Sequence, residues 1–267
     1  MELELEGRKI YAATGGRPFD ARKPAVLFIH GAGQDHTGWQ LTARYFAWHG
    51  HGVLAVDLPG HGRSEGPALT TIGAAANWLA RVMDAVGIAT AALVGHSMGA
   101  AIAIEAAAVL PGRISRLALF GGGLSMPVND ALLTSALAAP EAAFAMIVDW
   151  GHGPRAKIGG NPAPGLWLRG GALALLARNR PGVLYADLAA CNGWTTGEAA
   201  AGRVACPALV VIGARDAMTP PRAGHALARR LAHCRTVSIA DCGHMPMAEV
   251  PEATLDALID FFGPDQD

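Results

Sequence analysis

Short apolar runs punctuate this chain, and amphipathic stretches of helical period fill the gaps between them. Residues 2–6 and 9–13 alternate apolar with polar or small positions around Gly7, the pattern of an opening β-hairpin. Ala25-Val26-Leu27-Phe28-Ile29 and Val53-Leu54-Ala55-Val56 are unbroken apolar runs too short for helices, so each reads as a strand buried on both faces. Residues 37–49 set Trp39, Leu41, Tyr45, Phe46 and Trp48 at helical spacing, and residues 72–86 do the same with Leu79, Val82, Met83 and Val86. A strand at 91–95, an Ala-rich helix over 98–110 and a strand at 116–120 follow.

Beyond Phe120 the pattern changes. From 121 to about 202 there is no clear strand, only Ala-rich helical pieces and breaks such as Gly159-Gly160-Asn161-Pro162-Ala163-Pro164-Gly165. Alternation resumes with a strand at 208–213, a helix at 222–232, a strand at 236–239 and a last helix at 251–262, opened by Pro251 as suits a first turn. Strands alternating with helices predict an α/β fold with a mostly parallel sheet covered on both faces and ligands bound beyond the strand ends. The predicted division is a core from 1–121 and 203–267, with a helical lid at 122–202 inserted after the sixth strand.

Composition narrows the function. With 51% apolar and 16% charged residues, the 267-residue chain reads as a compact globule and not as a disordered one. A net charge of -1 carries no basic excess for nucleic acid and no patch for a membrane surface. Met1-Glu2-Leu3-Glu4-Leu5-Glu6 is the reverse of a signal peptide, so a cytoplasmic location is expected. Cys191, Cys206, Cys234 and Cys242 lack C-x-x-C spacing and are expected to be reduced thiols that serve packing.

The chemistry gathers at strand ends. Leu93-Val94-Gly95-His96-Ser97-Met98-Gly99 is strand, turn and helix start, with G-x-S-x-G at the turn. Such a corner lifts a serine hydroxyl clear of the sheet, and its glycines remove Cβ atoms that would clash. A serine needs a base, and the base an orienting acid. His244 follows the 236–239 strand and Asp216 follows the 208–213 strand, giving the order Ser97, Asp216, His244. Asp130, beyond the strand ending at Phe120, is the rival acid, although Pro127-Val128-Asn129-Asp130 reads as a helix cap. His30 and His61 read as loop-shaping residues, His96 as a flank of the serine, and Asp57 as a loop brace.

That order, with His30-Gly31-Ala32-Gly33 after the third strand and Asp57-Leu58-Pro59-Gly60-His61-Gly62-Arg63-Ser64 after the fourth, resembles the α/β-hydrolase family over all but the lid. The resemblance implies a cofactor-free serine hydrolase, a carboxylesterase acting on a small or medium ester through an acyl-enzyme. It implies an oxyanion hole from the backbone N–H groups of Met98 and of Ala32, with Gly33 as the fallback. Serine at position 97 disfavours the epoxide and haloalkane chemistry that uses aspartate there. The same triad serves C–C, lactone, thioester and amide cleavage, and a ligand receptor on a hydrolase scaffold is the reading from another class. No metal-ligand spacing or dinucleotide loop is present, and no metal site is expected. In the lid, Arg155, Lys157, Arg169, Arg178 and Arg180 are candidate anchors for a substrate carboxylate. Trp150, Leu166, Trp167, Leu168, Leu173, Leu175 and Leu176 are candidates for an apolar pocket wall.

Overall fold

A computed structural model describes residues 1–156, 159–161 and 166–263; Lys157 and most of the Gly/Pro-rich break at 159–165 lie outside them. Eight strands form one sheet: β1 (Glu2–Leu5), β2 (Arg8–Ala13), β3 (Ala25–Ile29), β4 (Gly52–Val56), β5 (Ala91–His96), β6 (Ile114–Phe120), β7 (Ala208–Gly213) and β8 (Cys234–Ile239). Their spatial order is β1-β2-β4-β3-β5-β6-β7-β8. The opening hairpin is antiparallel, as is its junction with β4, and every other pairing is parallel.

The helices are α1 (Gln40–Trp48), α2 (Ile72–Ala85), α3 (Met98–Val109), α4 (Asp130–Ala138), α5 (Pro140–Gly151), α6 (Leu168–Ala177), α7 (Val183–Asn192), α8 (Gly197–Ala201), α9 (Pro221–Arg230), α10 (Pro246–Glu249) and α11 (Pro251–Phe262). The helix expected over 37–49 begins instead as a 3-10 turn, His36–Trp39, because the Asp35 carboxylate accepts from the Thr37 N–H and caps it there. None of these helices is long and apolar enough to cross a membrane.

Unbroken apolar strands make sense once both faces are counted. Leu27 and Ile29, Leu54 and Val56, Leu93, Leu117 and Leu119 point to one cluster with α2 and α3. Their neighbours Val26, Phe28, Val53, Ala55, Val94 and Phe120 point to another with α1 and α11. Period-two side chains therefore meet a helical layer whichever way they face. A fully buried leucine such as Leu93 holds roughly 2–5 kcal/mol against truncation to alanine. α3 is buried nearly all round, which its alanines permit by packing closely on the sheet. Its one charge, Glu105, accepts from Trp194 Nε1 and Thr196 Oγ1 at 3.0 Å each, which compensates its burial.

Helices α4 to α8 lie between β6 and β7, where strand patterning fails in the sequence. Leu132, Ala136, Ala143, Leu184 and Leu188 form a small apolar cluster of their own among α4, α5 and α7. α8 and Trp194 join the main core instead.

Candidate active site

Topology brings the chemical residues together. β3 pairs with β4 on one side and β5 on the other, so strand order reverses at β3. The loops leaving β3 and β5 are neighbours at such a switch point, and ligands bind there. Residues 30–33 consequently lie against Ser97, and β6, β7 and β8 follow outward in order.

Ser97 stands between β5 and α3 with φ 53° and ψ −116°, a left-handed conformation that costs a non-glycine residue about 1–3 kcal/mol. Its N–H donates to the Phe120 carbonyl at 2.8 Å and its carbonyl accepts from the Ala100 N–H at 2.8 Å, which holds the corner. The glycines are obligatory. A Cβ on Gly95 would run into the Gly99 carbonyl, and one on Gly99 into the Ile29 carbonyl. A Cβ on Gly31 would lie 2.8 Å from His96 Nδ1 and 3.3 Å from Ser97 Cβ, so this loop approaches the serine only as glycine.

His244 Nδ1 lies 2.8 Å from Asp216 Oδ2, with both residues buried. A carboxylate only accepts, so Nδ1 carries a proton, and in the neutral ring Nε2 is then the nitrogen with the lone pair. Nε2 has no partner among the described residues, although it is buried, and both His244 and Ser97 line the same cavity. Asp216 Oδ1 accepts from the N–H groups of Met218 (2.9 Å) and Thr219 (2.8 Å), which orients the carboxylate. Asp130 is the exposed first residue of α4, and the cap is Asn129, whose side chain accepts from the Ala131 N–H.

The other histidines hold the scaffold. His96 Nε2 donates to the His244 carbonyl at 2.8 Å; burial, then the nearby His244, pushes its pKa well below the ordinary value. His30 donates from Nδ1 to the Gly31 carbonyl and accepts at Nε2 from the Leu58 N–H; burial first, then the neighbouring His61, lowers its pKa to about 4. Both are neutral braces. Asp57 accepts from the N–H groups of His36 and Arg63 and from His36 Nδ1. Among the described residues Asp35, His36 and Asp57 lie close enough to share a cation, but these hydrogen bonds already engage the Asp57 oxygens.

Of the two N–H groups that the sequence offered on the loop after β3, Gly33's is taken, since it donates to Asp187 Oδ2 at 2.8 Å. Ala32 N–H has no hydrogen bond among the described residues, and neither has that of Met98, the first residue of α3.

Three buried features had no sequence motif. Glu249, 1% exposed, accepts from the N–H groups of Gly153, Gly243 and Met245 and so fixes the loop that carries His244. Asp187 on α7 contacts both Gly33 and His61. The third is a cavity of about 250 Å³ above Ser97, walled by Ile147, Val148, Leu175, Leu176, Leu188 and other apolar groups.

The cavity corrects the expected wall. Leu175 and Leu176 line it, whereas Leu166 and Trp167 are exposed and Trp150, Leu168 and Leu173 lie off it. None of the described arginines of the 122–202 segment faces it. Arg169 pairs with Asp149, Arg178 lies 4.0 Å from Asp35, and Arg180 donates to the Ser64 carbonyl. Arg155 is also off the wall, and Lys157 is outside the described residues. Among the described residues the one lysine or arginine on the wall is Arg222 in the first turn of α9; it has no partner among them, and none of them lines the cavity with a carboxylate. Cys191 lies on the wall too, its thiol pKa raised by burial. All four cysteines are free.

The chain matches the model of the Alpha/beta hydrolase family over residues 26–257. It is 30% identical over 249 residues to the pimeloyl-[acyl-carrier protein] methyl ester esterase of Aromatoleum aromaticum, an alignment covering 86% of this chain and 94% of that protein. It is 40% identical over 108 residues to a 2-hydroxy-6-oxononadienedioate/2-hydroxy-6-oxononatrienedioate hydrolase of Burkholderia vietnamiensis, covering 39% of this chain and 38% of that one. The chain spans less than half the length of the curated relatives it matches at 38–40% identity. In fold it is similar to the enol-lactonase of Burkholderia xenovorans LB400, with a TM-score of 0.86, 23% identity, and 98% and 99% of the two chains covered.

Proposed function

Because the chain belongs to the alpha/beta hydrolase family, we propose that it is a serine hydrolase cleaving carboxylic esters of small or medium substrates through an acyl-enzyme. The observation that carries this reading is the free Nε2 of His244, oriented by Asp216 and sharing a cavity with the strained Ser97.

Ser97 Oγ attacks the ester carbonyl carbon while His244 Nε2 takes its proton. The carbonyl oxygen becomes an oxyanion, received by the N–H groups of Ala32 and Met98. Collapse breaks the acyl C–O bond, and Nε2 returns the proton to the leaving alkoxide. Water then repeats the sequence on the acyl-enzyme, with His244 again as base, and releases the acid. Asp216 stabilises the imidazolium at both stages. The steps need no metal or cofactor. Helices α4 to α7 act as the lid, and their leucines select the acyl and alcohol groups.

Arg222 narrows the substrate. A lone cation on an apolar wall favours an ester that bears a second, free carboxylate, for which a guanidinium offers forked donors. The methyl ester esterase that is 30% identical is named for a pimeloyl substrate, and the partial relative for a dioate. The latter name makes C–C cleavage the second reading, since the same triad can serve it.

A panel of esters, lactones and vinylogous C–C substrates, each as a carboxylate and as its neutral isostere, tests the proposal. The expected result is ester turnover that disappears in Ser97→Ala, with kcat/KM favouring the carboxylate roughly fivefold, about 1 kcal/mol for a solvent-screened contact. Arg222→Met should erase that preference. Faster C–C than ester cleavage would install the second reading, and equal kcat/KM for charged and neutral esters would remove Arg222 from substrate recognition.

A further inference from the structure

His244 hangs between two peptide planes, and both are tied down. The plane before it carries the His244 N–H, which donates to the Gly151 carbonyl at the end of α5 at 2.9 Å. The plane after it carries the His244 carbonyl and the Met245 N–H. That carbonyl accepts from His96 Nε2 at 2.8 Å, and that N–H donates to Glu249 Oε1 at 3.2 Å. Fixing the planes on either side of an α-carbon fixes its φ and ψ, and with them the direction of the Cα–Cβ bond.

Glu249 holds more than one plane. Both of its oxygens lie 3.1 Å from the Gly243 nitrogen, and Oε2 also accepts from the Gly153 N–H at 2.8 Å. Three donors therefore converge on one carboxylate, two from the loop that carries His244 and one from the segment after α5. At 1% exposure such a group is costly unless hydrogen bonds compensate its desolvation. A glutamine in its place would have one acceptor oxygen and would turn its NH₂ toward a donor, so only a carboxylate serves all three. The clamp has a firm base, since Glu249 ends α10, whose Met247 is buried in the core. Apolar packing could hold this loop in place, but converging acceptors also fix the directions of its N–H groups. The far side of the ring is held by Asp216, so a turn of the His244 backbone must stretch that bond or swing Nε2 within the cavity.

We propose that Glu249 is a positioning residue for His244, fixing the backbone from which the base projects and tying it to the end of α5. This rests on the reading of His244 as the base. Gly153 is the matching contact on the other side. It does not line the cavity, and a Cβ there would lie 2.9 Å from both Glu249 Oε2 and the Gly243 nitrogen, so Gly153→Ala displaces the clamp while keeping every acceptor.

The test compares wild type with Glu249→Ala, Glu249→Gln and Gly153→Ala. A simple nitrophenyl ester gives kcat and KM, the downfield proton NMR resonance of His244 Nδ1–H reports the ring's bond to Asp216, and thermal melts give the folded fraction. A misplacement near 1 Å can cost about 10²-fold in rate, so Glu249→Ala and Gly153→Ala are expected to lose roughly tenfold to a hundredfold in kcat. KM should stay within about threefold, and the resonance should shift or vanish in the same variants. Glu249→Gln should lose less than Glu249→Ala, because one oxygen can still receive Gly243 and Met245. Wild-type kcat and an unmoved resonance in folded Glu249→Ala, with only a lower melting midpoint, would overturn the proposal and leave Glu249 a structural tie. Should Glu249→Ala fail to fold, the same two outcomes are read from Gly153→Ala. If His244→Ala retains ester turnover, the reading of His244 as the base fails, and this proposal falls with it.

Discussion

Gly121, the residue after β6, offers a way to move His244, the proposed base, without substituting it. It has φ +58°, and a Cβ there would lie 2.7 Å from His244 Cε1 and 2.9 Å from Nδ1. Ordinary contact begins near 3.4 Å, so in Gly121→Ala the imidazole must retreat by about 0.7 Å. That displacement strains its bond to Asp216 and moves Nε2 from its place in the cavity. A misplacement near 1 Å can cost about 10²-fold in rate, which sets the expected loss in kcat at roughly tenfold to a hundredfold. The left-handed backbone adds a stability cost of about 1–2 kcal/mol, at roughly 2–4 °C in melting midpoint per kcal/mol. Gly7→Ala is the control: its φ is +72°, and nothing lies within 4 Å of the added Cβ. Thermal melts and steady-state ester kinetics on both variants separate strain from displacement. Both should melt lower, and only Gly121→Ala should lose kcat. Wild-type kcat in Gly121→Ala, or an equal loss in Gly7→Ala, would refute the reasoning.

Two further predictions concern the acid and the pH dependence of stability. Asp216→Asn should lower kcat by orders of magnitude, because an amide no longer fixes the His244 tautomer, while Asp130→Asn at the exposed start of α4 should be nearly silent; paired kinetics decide, and the reverse ranking would move the acid to Asp130. His30 and His96 are buried neutral with lowered pKa values, so as pH falls the unfolded chain takes up protons first, and stability present above about 6.5 is lost on the way down to about 4. His30 alone accounts for a loss of about 3 kcal/mol over that window, which urea unfolding at pH 7 and pH 4.5 would register and a flat profile would contradict. The raised His61 works in the other sense, its contribution complete below 6.5 and lost as pH climbs through its folded value.

The sheet was legible because every central strand is apolar on both faces, and because the glycines around Ser97 are dictated by contacts a Cβ would violate. Asp216 and His244 were legible as a candidate pair by their places after strands, which the parallel topology brings to one edge. The inserted helices were legible only as helices. Their faces depend on which neighbour they meet, so Leu175 and Leu176 could not be told from Leu166 by spacing, and the pocket arginine turned out to be Arg222, outside the insert. The four-residue α10 is too short to show a period. Glu249 and Asp187 are single carboxylates that hold backbone N–H groups, which leave no signature in sequence, and Asp187's other partner, His61, lies 126 positions away. That the Gly33 N–H is engaged depends on a residue 154 positions away, beyond the reach of any local pattern.

The claim on which the rest depends is covalent catalysis at Ser97. Rapid acid quench of wild-type protein mixed with excess nitrophenyl ester, followed by intact-mass and peptide mass spectrometry, measures it directly. One acyl group should appear per chain during the first turnover, mapped to the peptide containing Ser97 and absent from Ser97→Ala. Turnover without an adduct, or an adduct on Cys191 or another residue, would contradict the account.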